Sequence, residues 1–249
     1  MIFKRLIFAL LRRLDIEILR NASSKFPVEL SEFEKSVLKK VKPLTMTTPN
    51  RLAGVALGMK YIALNEIKGD VVEAGVWAGG SIGAAALIGV NDKLTRKYWL
   101  YDTFEGMNRP SFEDTPEALE KYLATKHKDD EGSTWCEVNE NQVRANLASL
   151  GVDLSMCNFV AGPVEKTLVN GPLPKKIALL RLDTDWYEST LIELQVLFPK
   201  LVKGGVLIID DYGHWQGARR AVDEYFEGLK FKPLLIPLDY TGRICVKIN

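Results

Sequence analysis

Cysteine, histidine and net charge are all scarce in this 249-residue chain. It has three cysteines and two histidines, and 33 basic side chains against 32 acidic ones leave a formal net charge of +1. Cys136, Cys157 and Cys245 are odd in number and far apart, which fits neither a disulfide framework nor a metal knuckle and points to a reducing, cytoplasmic setting. Near-neutrality argues against a polybasic nucleic-acid binder. No window approaches the ~20 consecutive apolar residues of a membrane-spanning helix, and there is no internal repeat or low-complexity tract. What is present is 47% apolar and 26% charged, the make-up of a globular protein that at this length buries roughly 70–75% of its unfolded surface.

The small net charge hides an uneven layout. Residues 1–43 carry ten Lys/Arg against five Asp/Glu, a net of +5, which leaves −4 for the remainder. The run from Leu6 to Leu11 is shorter than the apolar region of a signal peptide, and Arg12-Arg13 closes it without a small-residue cleavage site. Residues 1–43 therefore read as a basic helical extension. It is expected to dock on the core or on a second copy in a homo-oligomer, in preference to a membrane surface.

From Thr45 onward, short apolar strands alternate with helical stretches, the pattern of a mostly parallel sheet covered on both faces. The expected strands are 70–74, 98–101, 158–160, 177–182, 206–209, 234–237 and 244–248. The expected helices are 50–66, 81–90, 142–150, 189–201 and 217–228. Residues 44–249 thus form one α/β domain with a doubly wound seven-stranded sheet. The connection after the second strand, about residues 104–141, far exceeds a usual βα loop and reads as a lid insertion with a helix over 113–126 and a solvated turn at 129–133.

The first strand ends Glu73-Ala74-Gly75-Val76-Trp77-Ala78-Gly79-Gly80-Ser81. Glycines between a strand and a helix let the backbone approach a cofactor, but the dinucleotide pattern G-x-G-x-x-G fails because its second glycine falls on Trp77. An acid just before the first glycine, here Glu73, is the arrangement associated with S-adenosylmethionine (SAM). Asp102, closing the second strand, suits the ribose hydroxyls of either SAM or NAD.

The fourth strand ends Leu182-Asp183-Thr184-Asp185-Trp186-Tyr187 and the fifth ends Asp210-Asp211-Tyr212-Gly213-His214. If these strands are neighbours, Asp183, Asp185, Asp210 and Asp211 converge on one volume, because adjacent strands lie ~4.8 Å apart. Four carboxylates that close raise one another's pKa values unless a cation offsets them, and an all-oxygen set favours Mg²⁺ or another hard divalent ion. His214 has an unperturbed pKa of ~6.5 suited to a general base, or it lines the pocket. His127 reads as a solvated surface residue of the lid. The aromatics Trp135, Trp186, Tyr187, Trp215 and Tyr212 are candidate walls of an acceptor pocket.

Together the segments 72–81, Tyr101-Asp102-Thr103-Phe104-Glu105-Gly106-Met107, 182–190 and Asp210-Asp211-Tyr212-Gly213 resemble the macrocin O-methyltransferase (TylF-type) family, in order, over Thr45 to the C-terminus. The resemblance implies the class I methyltransferase fold, with strand order 3-2-1-4-5-7-6 and an antiparallel seventh strand. It implies metal-dependent, SAM-using methylation of a hydroxyl on a sugar or other diol-bearing small molecule. It also implies Asp185, Asp210 and Asp211 as metal ligands, Asp183 as general base, and Thr47, Glu73, Gly75, Trp77, Ser81, Asp102, Thr103 and Asp183 along the cofactor. The stretch Thr45–Arg51 matches a family segment that closes over the methionine end of SAM. Ala78, Thr184 and Trp186 depart from the family's frequent Arg, Gly and Met. Two alternatives stand beside this reading: an NAD-dependent oxidoreductase, and a catalytically silent SAM-fold module that serves protein association.

Overall fold

The computed structural model describes residues 26–90, 95–128 and 132–249. Most of the basic extension, residues 1–25, and residues 129–131 of the expected turn at 129–133 lie outside the described residues.

The described part of the extension is a helix, α1 (Glu32–Val41), opened by a capping box in which the Ser31 hydroxyl accepts from Glu34 N–H and the Glu34 carboxylate accepts from Ser31 N–H at 2.6 Å. Glu32 and Glu34 in its first turn and Lys39 and Lys40 in its last complement the helix dipole. Its face of Val37, Leu38 and Val41 is buried in the main core, so this segment docks on the domain.

The order continues α2 (Pro49–Leu64), β1 (Asp70–Ala74), α3 (Gly80–Gly89), β2 (Tyr98–Asp102), α4 (Pro116–Thr125), α5 (Glu140–Leu150), β3 (Cys157–Ala161), α6 (Val164–Asn170), β4 (Ile177–Leu182), α7 (Tyr187–Val196), β5 (Leu201–Ile209), α8 (Gln216–Glu227), β6 (Ile236–Pro237) and β7 (Arg243–Val246). Among the described residues seven strands form one sheet in the order β3-β2-β1-β4-β5-β7-β6, with β7 antiparallel to both neighbours. The expected topology holds. Successive residues of a strand face opposite sides, and the core divides accordingly. Val71, Leu100, Leu179, Val206 and Ile208 pack with α1, α2, α3 and α5, whereas Val72, Tyr101, Leu180, Leu207 and Ile209 pack with α6, α7 and α8.

Three differences from the sequence reading have local causes. The helix expected over 189–201 ends at Val196 because Pro199 allows only a 3₁₀ turn over Phe198–Lys200. Strand β5 starts at Leu201, before the expected 206, and a register irregularity against β4 precedes its regular part. Helix α6, bounded by Pro163 and Gly171, is seven residues long, too short to show a helical period.

Strand order reverses between β1 and β4, and in such sheets ligands collect in the crevice beyond the carboxyl ends at that point. The insertion after β2 roofs it. Gly106 (φ +78) packs so tightly on the rest of the insertion that an added Cβ would lie 1.8 Å from the Ser133 carbonyl oxygen. Met107 N–H donates to the Trp135 carbonyl at 2.9 Å, and the buried Ser133 hydroxyl donates to the Met107 carbonyl at 2.8 Å. Trp135, Trp186 and Trp215 pack edge-on with centroids 5.2–6.1 Å apart and tie this insertion to the starts of α7 and α8. Three of the five aromatics expected as pocket walls, Trp135, Trp186 and Trp215, thus act here as an anchor: Trp186 is fully buried, and its indole N–H donates to the Asn108 carbonyl at 3.1 Å.

Candidate active site

The turn after β1 is built around Asp102. Its Oδ2 accepts the Val76 and Trp77 N–H groups at 2.7 and 3.1 Å, and its Oδ1 accepts Phe104 N–H at 2.9 Å. Burial pushes this carboxyl up, and the three backbone donors oppose the shift. The bonds hold Trp77 at φ 46 and Phe104 at φ 57, conformations that side chains rarely adopt. Asp102 therefore organises the turn, with three of the roughly four acceptor sites of its carboxylate taken by backbone donors. Thr103 closes the corner by donating its hydroxyl to the Gly106 carbonyl at 2.6 Å.

Across from this turn runs the segment Thr45–Thr48. Thr47 is buried; its N–H donates to Thr45 Oγ1 at 3.1 Å, and its carbonyl accepts Lys42 Nζ at 2.9 Å. Thr45 Oγ1 lies 3.4 Å from Ser81 Oγ at the start of α3. Thr48 caps α2 and donates its hydroxyl to Asp239 at 2.5 Å. This strap is thereby tied both to the glycine turn and to the loop between β6 and β7.

The acids collect at the ends of β4 and β5, which pair in parallel. Ligand oxygens of Asp183, Asp185 and Asp211 all lie within 4.8 Å of one another. Burial pushes the Asp185 carboxyl up to about 7, and the Asp183 charge adds to this. Burial likewise holds Asp211 well above the carboxylate range, with Asp185 and Asp183 adding to the effect. A hydrogen bond joins Asp185 and Asp211, so without a cation the pair holds a proton. An all-oxygen cluster that strained fits a hard divalent cation.

The structure differs from the sequence reading at three of the expected residues. Asp210 stands outside the cluster, because its Oδ1 accepts Arg181 Nη2 at 2.5 Å and its Oδ2 accepts Arg51 Nη1. Glu73 is not among the residues that line the cleft; it is buried, its Oε1 is ion-paired with Arg181, and desolvation pushes it up to about 7. His214 is exposed, outside the cleft lining, and its ring packs against Trp215 and Tyr240 with centroids 4.7 and 6.5 Å away.

Thr47, Gly75, Trp77, Ser81, Asp102, Thr103, Asp183, Asp185 and Asp211 line one cleft of about 1000 Å³, counting its open mouth, and Asp210, though outside the three-acid cluster, lines it too. Met107, Asn108 and Cys136 of the insertion wall its far side. Sequence reasoning missed Arg51 and Arg181. Arg181 carried a signal: a single Arg in the otherwise apolar strand Ile-Ala-Leu-Leu-Arg-Leu is a charge that must find partners when buried. It also missed Glu193, fully buried, whose Oε1 accepts the Thr184 hydroxyl at 2.9 Å beneath the acid loop.

The model of the macrocin-O-methyltransferase (TylF) family matches residues 21–246. The chain is 31% identical over 199 residues, covering 80% of it and 73% of the relative, to the demethyldecarbamoylnovobiocin O-methyltransferase of Streptomyces niveus. Over the same share of each chain it is 33% identical to an 8-demethyl-8-(2,3-dimethoxy-alpha-L-rhamnosyl)-tetracenomycin-C 4'-O-methyltransferase of Streptomyces olivaceus. Among solved structures, that of the O-methyltransferase NovP superposes with a TM-score of 0.74 at 29% identity over 83% of both chains. These likenesses set aside the NAD-dependent oxidoreductase reading.

Proposed function

Because the chain belongs to the macrocin-O-methyltransferase (TylF) family and is a SAM-dependent O-methyltransferase, we propose that it methylates a hydroxyl of a sugar or related diol-bearing natural product with the help of a divalent cation. The observation that carries this reading is one cleft in which the glycine turn of Gly75 and Trp77 faces the cluster of Asp183, Asp185 and Asp211. Relatives named for methylating a rhamnosyl tetracenomycin and mycinamicin III support the acceptor class.

SAM supplies a methyl group on a positively charged sulfur. A cation held by Asp185 and Asp211, when bound, supplies Lewis-acid polarisation of an acceptor oxygen. The chain's own residues do the rest. Asp183 lines the cleft with about a quarter of its side chain exposed, and Arg181 Nη1 holds its Oδ2 at 2.7 Å. It accepts the acceptor hydroxyl's proton as the new carbon–oxygen bond forms. The Asp102-centred turn and the Thr45–Thr47 strap orient the cofactor, while Met107, Asn108 and Cys136 confine the acceptor and exclude water. Such alignment reaches effective molarities of ~10⁵ M or more. With His214 outside the cleft lining, the base role rests on Asp183.

The test is calorimetric binding of SAM and NAD⁺ with and without Mg²⁺, followed by methyl release on a panel of 6-deoxyhexosides, vicinal diols, catechols and simple phenols. SAM binding and Mg²⁺-dependent turnover on a diol-bearing acceptor are expected. Turnover untouched by both EDTA and Asp211→Asn would remove the cation from the proposal, and turnover confined to simple phenols would overturn the acceptor class.

A further inference from the structure

Arg181 enters the chemistry described so far only as a partner of Asp183, yet its guanidinium joins four separate segments. Its Nη1 is ion-paired with Glu73 of β1 and lies 2.7 Å from Asp183 Oδ2, while its Nη2 donates to Thr47 Oγ1 at 2.7 Å and to Asp210 Oδ1 at 2.5 Å. The side chain is 3% exposed, and burial would lower its pKa, but Asp183, Glu73 and Asp211 raise it on balance. It is a permanent cation whose planar fork cannot turn toward one partner without leaving another.

The partners matter as much as the number. Thr47 belongs to the strap that meets the glycine turn through Thr45 and Ser81. Asp183 is the proposed base on the opposite wall. Arg181 bridges the two, with Glu73 and Asp210 bracing the guanidinium from either neighbouring strand.

We infer that Arg181 is a positioning residue that couples the seating of the Thr45–Thr47 strap to the orientation of Asp183, so that a closed strap and an aligned base are one arrangement of the molecule. The inference rests on the reading of Asp183 as the base. If the strap lifts, Nη2 loses a hydrogen bond, the guanidinium pivots on its acidic partners, and the Asp183 carboxylate follows its charge-assisted bond. Such coupling is reciprocal: disturbing Asp183 must loosen the strap as much as disturbing the strap loosens Asp183.

Thr47→Val removes only the bridging hydroxyl, and Thr47→Ser restores it without the methyl group. The readout is deuterium exchange of peptides spanning residues 42–52 and 181–190, with S-adenosylhomocysteine bound. Exchange is expected to rise in both peptides for Thr47→Val and for Asp183→Asn, and to stay near the parent for Thr47→Ser. With the most active 6-deoxyhexoside as acceptor, Thr47→Val is expected to lower kcat about tenfold at saturating SAM, the scale of one hydrogen bond to a charged group. In an Asp183→Asn background it is expected to lower kcat no further. Exchange confined to the substituted segment, or a loss in SAM affinity with unchanged kcat, overturns the coupling. Parental turnover by Asp183→Asn removes the base assignment and the catalytic half of the inference with it, while the exchange readout still decides the coupling.

Discussion

Gly75→Ala is the substitution for which the structure yields the sharpest expectation. Gly75 sits at φ +79, and an added Cβ would stand 1.9 Å from the Asp183 carbonyl oxygen and 2.6 Å from its carbonyl carbon. Ordinary contact needs well over 3 Å, so the end of β4 must retreat by roughly 1–1.5 Å. Asp183 N–H is meanwhile held to the Ala74 carbonyl at 2.9 Å, and that retreat breaks the bond. The left-handed conformation costs an alanine about 1–2 kcal/mol, and the lost hydrogen bond about 1 kcal/mol more. A total near 2–3 kcal/mol lowers Tm by roughly 4–12 °C in a domain of this size. The functional loss should be larger than the stability loss suggests, because a displacement of ~1 Å at a reacting group costs on the order of 100-fold in rate.

Gly151→Ala is the matched control. Gly151 ends α5 at φ +88 with nothing within 4 Å of an added Cβ, so it carries the backbone cost and no clash. Thermal melts, SAM calorimetry and kcat on both variants separate the two contributions. If Gly75→Ala melts with Gly151→Ala and keeps parental kcat, the close approach of Gly75 to Asp183 does not govern the site and the reasoning fails.

Three further outcomes are expected. Glu73 and Asp185 are both pushed up to about 7 by burial, so between about pH 4 and 7 the folded, cation-free protein holds protons that the unfolded chain has released. Their contribution to stability is therefore lost as pH rises through that window, and Tm should fall from pH 5 to 8 without Mg²⁺. A Tm that rises steadily to pH 8 would contradict the buried, protonated state. Cation binding must displace the proton shared by Asp185 and Asp211, so Mg²⁺ affinity should strengthen from pH 6 to 8, with proton release visible as a buffer-dependent calorimetric enthalpy, and Asp211→Asn should abolish both. Trp135→Ala removes contacts to Trp186 and Trp215, each worth about 0.5–1.5 kcal/mol. Amide exchange across residues 104–128 should rise and acceptor turnover fall, while SAM affinity stays within about twofold.

Much of the fold is legible from residue order. Strands β1 and β4 take the bounds expected for them, because a strand buried on both faces writes itself as a short continuous apolar run between turn residues. The edge strand β6 falls short of the expected 234–237. β6 is only Ile236–Pro237, and at the rim of a sheet few residues are buried enough to impose a pattern.

The sequence by itself determined the alternation of strands and helices, the glycine turn after β1, and the acids at the ends of β4 and β5. These are local properties of spacing and polarity, and their combination is enough to mark the family. Only the tertiary structure decided which charges meet. Arg51 and Asp210 are far apart in the chain, and nothing near either one announces the other. Arg181 reaches Glu73, Thr47, Asp183 and Asp210 because β1, β4 and β5 are neighbours and the strap crosses their ends. Buried Arg181 and half-buried Arg51 thereby claim Asp210 and leave Asp183 with Asp185 and Asp211. Charge pairing in a low-dielectric interior depends on distances of a few ångströms between segments remote in sequence, and those distances exist only once the chain has folded.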